Sequence, residues 1–349
     1  MSDAAGEIRE AIVAAGGAVP FSEFQRLALY GAGGFYTGSV GGRAGRRGGA
    51  FLTSPEVGPL FGAVLARYLD AEWLALGRPD PFTVVDAGAG PGTLARAILA
   101  AQPSCRAAIR YVGVEVSAAQ RARHPADVES RDELPDGPID GVIVANELLD
   151  NLPFRLCVFD GNWREAFVVD AGEGRFAELL SAPLDPVPVV LPSAPVLGSR
   201  APLHDAAVAW VSAARSRLRS GSLLVIDYCR PTTASLVGRP WREWLRTYRG
   251  HERGDHYLAG PGSQDITVEI ALDQLPAPDA VATQIEFLRQ WGVDDLVADG
   301  ERQWAANAAA PDLAALAMRS RAVEARALLD PSGLGAFVAA EWSGTVCHR

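Results

Sequence analysis

The stretch PFTVVDAGAGPGT, residues 81–93, decides the fold of this chain. Its first part, Phe82–Val85, is short, apolar and rich in β-branched residues, which predicts a buried strand that ends at Asp86. Three glycines follow at alternate positions: Gly88, Gly90 and Gly92. Thr93 is expected to cap the helix LARAILAAQ behind them. A strand, a glycine turn and a helix N-terminus let the backbone approach a ligand closely.

A second strand that ends in an acid follows at YVGVE, residues 111–115. Glu115 is placed to hold the two hydroxyls of a ribose, so the two stretches together predict a nucleotide-type cofactor site. The glycine order is G-x-G-x-G, whereas a dinucleotide site has G-x-G-x-x-G. With Asp86 at the strand end, the turn resembles the first motif of S-adenosylmethionine (SAM)-dependent methyltransferases. A strand-to-helix turn without a ligand is the alternative interpretation.

The composition excludes several classes of function. The 349 residues suffice for one large domain or two, and 48% hydrophobic with 21% charged residues is ordinary for a globular protein. A formal net charge of -10 argues against general nucleic-acid binding, which needs a basic surface, and it suits a cationic substrate. All 32 residues in the lysine-plus-arginine count are arginine, which excludes a Schiff-base lysine and a P-loop lysine.

Cysteine and histidine usage points to a reducing compartment and to no structural metal. The cysteines are far apart in sequence: Cys105, Cys157, Cys229 and Cys347. His251 and His256 are a close pair, but their spacing fits no common metal motif. The N-terminus does not look like a signal peptide, and no apolar run reaches the ~18 residues of a membrane span. We therefore expect a cytoplasmic protein with no nucleic-acid partner and no membrane insertion.

Two helices and a glycine-rich loop are expected before the cofactor strand. Apolar residues at helical spacing predict helices on either side of Pro20, the second opening near Ser22. Residues 31–51 are rich in glycine yet carry aromatic residues and arginines: Phe35, Tyr36, Phe51, Arg43, Arg46 and Arg47. We interpret this segment as a lid that folds over a ligand, or else as a solvated loop. Ser54 as N-cap and Pro55 at the first helical position then start a long helix.

Candidate catalytic side chains follow the next buried strand, IDGVIVA, at residues 139–145. The segment NELLDNLP places Asn146, Glu147 and Asp150 beyond the carboxyl end of this strand, where open α/β sheets bind ligands. A carboxylate cluster in a closed site is costly unless a cation or a proton compensates it. A polar turn is the alternative. Asp132 occupies a position where an adenine-contacting side chain often lies in such folds.

The second half of the chain predicts an antiparallel insertion into this sheet. Residues 154–180 are expected to form three short strands, followed by a proline-rich surface loop. A helix over residues 205–220, with Gly221 as its stop, leads to a strand at residues 222–229, where the sheet resumes. A last strand is expected near residues 334–342.

Five segments in this order resemble the MidA-like family of SAM-dependent methyltransferases. They are the stretch from Phe24 to Tyr36, GGAFLTSPEVGPLFG, DAGAGPGTL, ANELLDNLP and LRTYRGHERGDHYLAGPGSQDIT. The resemblance implies an α/β fold of the class I methyltransferase type, which is Rossmann-like, with a mostly parallel sheet, helices on both faces, an N-terminal helical extension and an inserted antiparallel cap. We expect N-terminal helices and the lid over residues 1–80 and a SAM-binding domain over residues 81–349, with insertions at about 154–200 and 230–263.

The resemblance also implies an activity, because the mitochondrial members of the family are arginine methyltransferases needed for assembly of respiratory complex I. A protein substrate is then expected, and a homodimer is left open. The residues implied to hold SAM are Thr53, Ser54, Asp86, Gly88, Gly90, Gly92, Glu115, Asp132 and Asn146. Glu147 is the expected carboxylate clamp for the acceptor guanidinium, with Asn146 and Asp150 in support.

Two departures from the family pattern bear on the substrate and on activity. Ala50 stands where the family usually has an acid, and Pro91 stands where it usually has an arginine. A small-molecule O- or N-methyltransferase would share every cofactor residue. Ala50 favours an assembly factor without activity, which the intact glycine turn and Glu115 disfavour. A nicotinamide dehydrogenase is disfavoured by the glycine order. A DNA adenine methyltransferase needs N/D-P-P-aromatic after the fourth strand, which NELL does not provide.

Overall fold

Strands and helices alternate over residues 82–131, and the structure, a computed structural model, describes residues 3–38, 53–250, 252–309 and 312–344. The helices are α1 (Ala4–Ala14), α2 (Phe21–Tyr30), α3 (Ser54–Val57), α4 (Pro59–Ala75), α5 (Thr93–Ala100), α6 (Ala118–Arg121), α7 (Asp205–Arg217), α8 (Thr233–Val237), α9 (Gln284–Gln290), α10 (Val293–Asn307) and α11 (Leu313–Leu328). The strands are β1 (Val19–Pro20), β2 (Phe82–Ala87), β3 (Ile109–Val114), β4 (Glu129–Arg131), β5 (Ile139–Asn146), β6 (Arg155–Phe159), β7 (Trp163–Gly172), β8 (Arg175–Pro183), β9 (Arg200–Leu203), β10 (Leu218–Asp227), β11 (Cys229–Arg230), β12 (Leu245–Arg249), β13 (Glu252–Arg253), β14 (Asp265–Val268), β15 (Ile270–Ala271), β16 (Ala280–Thr283) and β17 (Val338–Ser343).

Internal contacts divide the chain into two units. The parallel unit comprises Leu52–Glu147, Ala213–Asp227 and Pro278–Arg349, and the antiparallel unit comprises Met1–Phe51, Leu148–Ser212 and Tyr228–Ala277. This division differs from the boundaries expected from the sequence, which grouped residues 53–80 with the N-terminal helices. The physical reason is that α4 packs against α5 and β5 of the parallel unit.

The parallel unit is built on a seven-stranded sheet in the order β16-β17-β10-β5-β2-β3-β4. The five strands from β10 to β4 pair in parallel, whereas β17 and β16 are antiparallel at one edge. Every residue of β2 is buried, as expected of a central parallel strand whose two faces are both covered. The predicted α/β fold with a mostly parallel sheet is confirmed.

Two glycines inside neighbouring strands allow β2, β5 and β10 to approach one another. A Cβ atom on Gly141 would overlap the carbonyl oxygen of Thr83, and one on Gly221 would overlap the carbonyl oxygen of Gly141. Both glycines have positive φ, of 153° and 103°. The expectation that Gly221 stops a helix is therefore wrong: α7 ends at Arg217, and Gly221 lies within β10, opposite Gly141.

The two helix starts that the sequence predicted in the parallel unit each lie one residue away from the expected cap. Thr53 is the N-cap of α3 and Ser54 is its first residue, while Gly92 and not Thr93 is the N-cap of α5. The long helix predicted after Pro55 breaks at Gly58, with φ 161° and ψ -175°, and restarts at Pro59. A Cβ atom on Gly58 would collide with the Glu324 carboxylate, which accepts a hydrogen bond from the Leu60 amide at 2.8 Å. This acid thus satisfies an amide in the first turn of α4, which has no partner within the helix.

The antiparallel unit carries the strands that the sequence placed in an insertion. Its main sheet has the order β1-β7-β6-β9, with β8 paired to β7, and the three strands predicted within residues 154–180 are confirmed as β6, β7 and β8. The proline-rich segment is not all loop, because it ends in β9, which pairs with β6. A second, three-stranded sheet has the order β13-β12-β14.

Candidate functional site

The glycine turn after β2 exposes its backbone on one side. Gly88, Gly90 and Gly92 all have positive φ, of 75°, 52° and 79°, which residues with a side chain rarely adopt. A Cβ atom on Gly90 would meet nothing within 4 Å. The turn therefore presents its backbone to open space at Gly90, as the approach of a ligand requires.

The Glu115 carboxylate is held against this turn. Glu115 follows β3, and its Oε2 accepts a hydrogen bond from the Gly90 amide at 3.0 Å, while Oε1 accepts one from the Ser117 amide at 2.8 Å. Because β2 and β3 are adjacent and parallel, their carboxyl ends meet at the same edge of the sheet. A carboxylate oriented by two backbone amides at this edge fits the hydroxyls of a ribose.

A histidine that the sequence analysis missed supports the turn from the other side. His124 contacts the Gly90 carbonyl oxygen through Nε2 at 2.9 Å and the Ser130 hydroxyl through Nδ1 at 2.7 Å. A Cβ atom on Gly92 would lie 3.3 Å from the imidazole Cδ2, and one on Gly113 would lie 2.9 Å from Cε1. Gly92 thus makes room for the imidazole as well as for the turn. No local motif marks His124, since its partners are distant in sequence.

Glu147 and Asn146 come together with Ser54 at the carboxyl end of β5. The Glu147 Oε1 atom accepts hydrogen bonds from the Ser54 amide at 3.2 Å and from Asn146 Nδ2 at 3.0 Å. Its backbone amide donates to the Ile226 carbonyl at 2.9 Å. Glu147 has a φ of 52°, an uncommon conformation for a residue with a side chain, and such outliers cluster at functional sites.

Asn146 also offers an acceptor to a ligand. Its Oδ1 atom is buried and accepts no hydrogen bond from the part of the chain that the structure describes. A buried polar atom without a partner is costly, so a bound donor at this position would be favourable. Ser54 is fully buried, and its hydroxyl donates to Gln284 Oε1 at 3.0 Å, which fixes the amide that contacts Glu147.

Other residues predicted to hold the cofactor have different surroundings. Asp86 is buried within β2 and accepts a hydrogen bond from the Tyr111 hydroxyl at 3.2 Å. Burial, and to a smaller extent the negative charge of Glu115, raises the pKa of Asp86 to about 7. Thr53 is half-buried, and Asp132 is exposed. Among the described residues, no hydrogen bond joins the Asp132 side chain to the glycine turn, and its contact with adenine stays a prediction.

Asp150 belongs to the antiparallel unit, where it is part of a buried polar cluster. Its Oδ2 accepts a hydrogen bond from the Thr267 hydroxyl at 2.5 Å. Asp265 accepts from the Tyr36 hydroxyl at 3.0 Å and from Asn151 Nδ2 at 3.1 Å. Burial raises the pKa of Asp150 to about 6 and that of Asp265 to about 7, the latter also through repulsion from Asp150. Sequence reasoning assigned no role to Asp265.

Several predicted features lie outside the described residues. They are most of the glycine-rich lid, including Arg43, Arg46, Arg47, Ala50 and Phe51, together with His251 and Cys347. Of the predicted lid residues, Tyr36 is described and belongs to the Asp265 cluster. Within the described ranges, no group of three histidine, cysteine or acidic side chains is arranged to hold a metal ion. None of the helices in those ranges is both long and apolar enough to cross a bilayer. The cytoplasmic location stays a prediction.

Comparison with known proteins identifies the family. A family model described as "Putative S-adenosyl-L-methionine-dependent methyltransferase" matches residues 64–288. The chain belongs to this family. A solved structure of a COG1565 superfamily member from Burkholderia thailandensis, bound to S-adenosyl-homocysteine, is similar over 97% of this chain and 91% of that chain, with a TM-score of 0.84 and 28% identity. The predicted family, fold and cofactor, SAM, are thereby confirmed.

Curated relatives of the family carry a more specific name. A mitochondrial protein arginine methyltransferase, the NDUFAF7 homolog of Drosophila melanogaster, is 26% identical over 297 residues, which cover 73% of this chain and 65% of the relative. The mitochondrial protein arginine methyltransferase NDUFAF7 of Mus musculus is 26% identical over 292 residues, 70% of this chain and 65% of the relative. The chain thus spans 65% of the length of each of these relatives, and the acceptor arginine is named for them alone.

Proposed function

We propose that this protein transfers a methyl group from SAM to a guanidinium nitrogen of an arginine in a protein substrate. The observation that carries the proposal is Glu147. Its carboxylate is held at the carboxyl end of β5, in a left-handed backbone conformation, by the Ser54 amide and the Asn146 side chain. The arginine methyltransferase activity named for relatives of the family supports this choice of acceptor.

The cofactor is assigned to the glycine turn and to the acid beside it. Gly90 opens the turn to a ligand, Glu115 would bind the ribose hydroxyls with the lone pairs that its two amide donors leave free, and the buried Oδ1 of Asn146 would accept a donor. When bound there, SAM supplies a methyl group on a positively charged sulfur. The protein's contribution is to position the acceptor and to exclude water.

Glu147 is proposed to clamp the acceptor. A guanidinium has a pKa above about 12 and is a poor nucleophile while its charge is spread over three nitrogens. A carboxylate bound to two of its N–H groups concentrates the positive charge away from the third nitrogen, which then attacks the methyl carbon. The N–C bond forms as the S–C bond breaks, and the proton that the methylated nitrogen releases passes to Glu147 or to water.

Glu147→Gln tests the clamp directly. The amide keeps the size of the side chain and removes its charge, so we expect the affinity for S-adenosyl-homocysteine to stay within about twofold while kcat falls by about two orders of magnitude or more. The measurement is calorimetric titration combined with transfer of labelled methyl groups to single-arginine peptides. Glu301→Gln, an exposed glutamate of α10, is the matched control and should leave both quantities unchanged.

The acceptor is tested in the same assay. Lysine peptides of the same sequence and free arginine serve as competing substrates. Label in the arginine peptides alone supports the proposal, whereas label in free arginine alone would indicate a small-molecule methyltransferase. Full activity of Glu147→Gln would remove the clamp from the mechanism.

A further inference from the structure

A pocket in the antiparallel unit lies between β12 and the segment that follows β13. Its volume is about 300 Å³, and it is lined by Trp241, Arg242, Leu245, Arg246, Thr247, Arg253, Gly254, Asp255, His256 and Tyr257. Three arginines and one aspartate give this lining a positive charge in a protein whose formal net charge is -10. The volume is at the lower end of the range for ligand sites, which suits peptide side chains better than a dinucleotide.

One wall of the pocket is aromatic and firmly held. The ring of Trp241 packs edge-on against His256 and Tyr257, with centroids 5.6 Å and 5.4 Å away. The Tyr257 hydroxyl donates to Glu178 at 2.6 Å and accepts from Arg200 at 2.8 Å, and Arg200 and Glu178 form a two-pronged ion pair. Such a wall is preorganised, because its hydrogen bonds are already satisfied without a ligand.

The two outer arginines carry charge that no ion pair within the described ranges neutralises. Arg242 lies 4.8 Å above the ring of Trp241, and Arg253 Nη1 donates to the backbone carbonyl of Arg242 at 2.8 Å. Neither guanidinium forms an ion pair with a carboxylate among the described residues, and both side chains are exposed. By contrast, Arg246, on the inner side, forms an ion pair with Glu269.

Burial and nearby positive charges both favour the uncharged form of His256. Burial, and then the positive charges of Arg200 and Arg242, lowers the pKa of this imidazole. The imidazole is therefore neutral near pH 7 and leaves the two outer guanidiniums to attract an anion. The exposed carboxylate of Asp255 on the lining repels a bound anion, and it repels a singly charged carboxylate less than a doubly charged phosphate.

We propose that this pocket binds an acidic segment of a protein partner, with a carboxylate between Arg253 and the Arg242 guanidinium that lies over Trp241. Arginine suits this task, because its planar guanidinium binds a carboxylate through two parallel N–H groups while its face stays on an aromatic ring. That the partner is a protein rests on the proposed function, whereas the preference for a carboxylate rests on the pocket alone.

Binding of peptides that contain no arginine tests this inference separately from methyl transfer. The probes are a fluorescein-labelled Gly-Ser peptide with a central run of glutamates and the same peptide with glutamines, titrated with the full chain at physiological ionic strength. We expect the glutamate peptide to bind about tenfold or more tightly than the glutamine peptide. Equal affinities, or no binding of either peptide, would overturn the proposal.

Charge reversal locates the site. Arg242→Glu and Arg253→Glu should each weaken binding of the glutamate peptide by about tenfold or more. Arg249→Glu carries the same change of charge at the end of β12, the strand paired with β13, but Arg249 is outside the pocket lining and donates to the Ser263 hydroxyl, so it should change the affinity by less than about twofold. Melting temperatures confirm that each variant is folded. Equal loss in all three variants would mean diffuse electrostatic attraction and would also overturn the proposal.

Peptide binding and methyl transfer are measured separately, so either proposal can fail without the other. A glutamate peptide that binds to an enzyme unable to methylate arginine would leave the pocket standing and remove the proposed acceptor. If the protein methylates arginine but binds the two peptides equally, the proposed acceptor stands and the pocket proposal falls.

Discussion

Asp265 and Glu269 are two buried carboxylates in one short stretch of the antiparallel unit, and they are stabilised in opposite ways. Glu269 is 4% exposed and forms ion pairs with Arg230 at 2.8 Å, with Arg239 at 2.7 Å and with Arg246. Asp265 is 1% exposed and accepts from neutral donors alone among the hydrogen bonds recorded for it.

The pKa values of the two carboxyl groups follow these partners. Burial opposes ionisation at both positions, but guanidinium contacts hold the pKa of Glu269 below its usual range, whereas burial and the charge of Asp150 raise that of Asp265 to about 7. Burial alone therefore does not decide whether an acid is charged. The sign of its neighbours does.

The largest expected effect comes from replacing each acid by its amide. Glu269→Gln removes the anion that three guanidiniums face and should lower the free energy of unfolding by about 3 kcal/mol. Asp265→Asn replaces a group that is mostly protonated at about pH 6 and should cost about 1 kcal/mol or less. Urea denaturation at that pH measures both. Equal losses would show that the two sites do not differ in charge.

The effect of Asp265→Asn on the free energy of unfolding should depend on pH. The folded-state pKa of about 7 lies above the unfolded value of about 3.9, so the folded protein binds more protons than the unfolded chain between these values. The wild-type protein should thus lose stability relative to Asp265→Asn as the pH rises from about 4 to about 7, by a few kcal/mol at most.

Titrating groups that do not interact with Asp265 cancel in that difference, whereas Asp150, whose charge repels Asp265, contributes to it. Burial lowers the pKa of His204 to about 3, which gives a slope of the opposite sign, and Asp86 adds a slope of the same sign, but both are present in the wild type and in the variant. The measurement is the difference between the two unfolding free energies at several pH values. A difference that does not vary with pH would contradict the raised pKa.

The smallest expected effect concerns the hydrogen bond between Thr267 and Asp150. Thr267→Val keeps the shape of the side chain and removes the hydroxyl, so it should lower the free energy of unfolding by about 1 kcal/mol and raise the pKa of Asp150 further. Thr267→Ser retains the donor and is the control. If the two variants lose the same stability, packing rather than the hydrogen bond matters at this position.

Local sequence patterns were enough to predict the elements to which the cofactor is assigned above. The strand, glycine turn and helix around Gly90, the acid at Glu115 and the polar end of β5 are each visible within a few residues of chain. Their common edge of the sheet follows from the parallel order, which the alternation of strands and helices predicts.

Features that depend on distant partners could not be found in this way. Gly221 has the appearance of a helix stop, but its conformation is explained by the carbonyl of Gly141 on the neighbouring strand. His124 has no motif, because its roles are to contact Gly90 and to fill the space beside Gly92 and Gly113. The pKa of Asp265 likewise depends on Tyr36 and Asp150, which are far away in sequence.

Gly141 also fixes the register of β5 against its neighbouring strand. Of all the residues of β5, it is the one whose missing side chain fits against the carbonyl of Thr83, so a slip of one residue would press a bulkier neighbour into that oxygen. Asn146 emerges five residues later, about 17 Å along the strand. Insertions in the loops around β5 should therefore leave the position of Asn146 along the sheet unchanged, whereas a single deletion between Gly141 and Asn146 would shift it. In an engineered chimera, the loops are the parts to exchange and this short span is the part to keep.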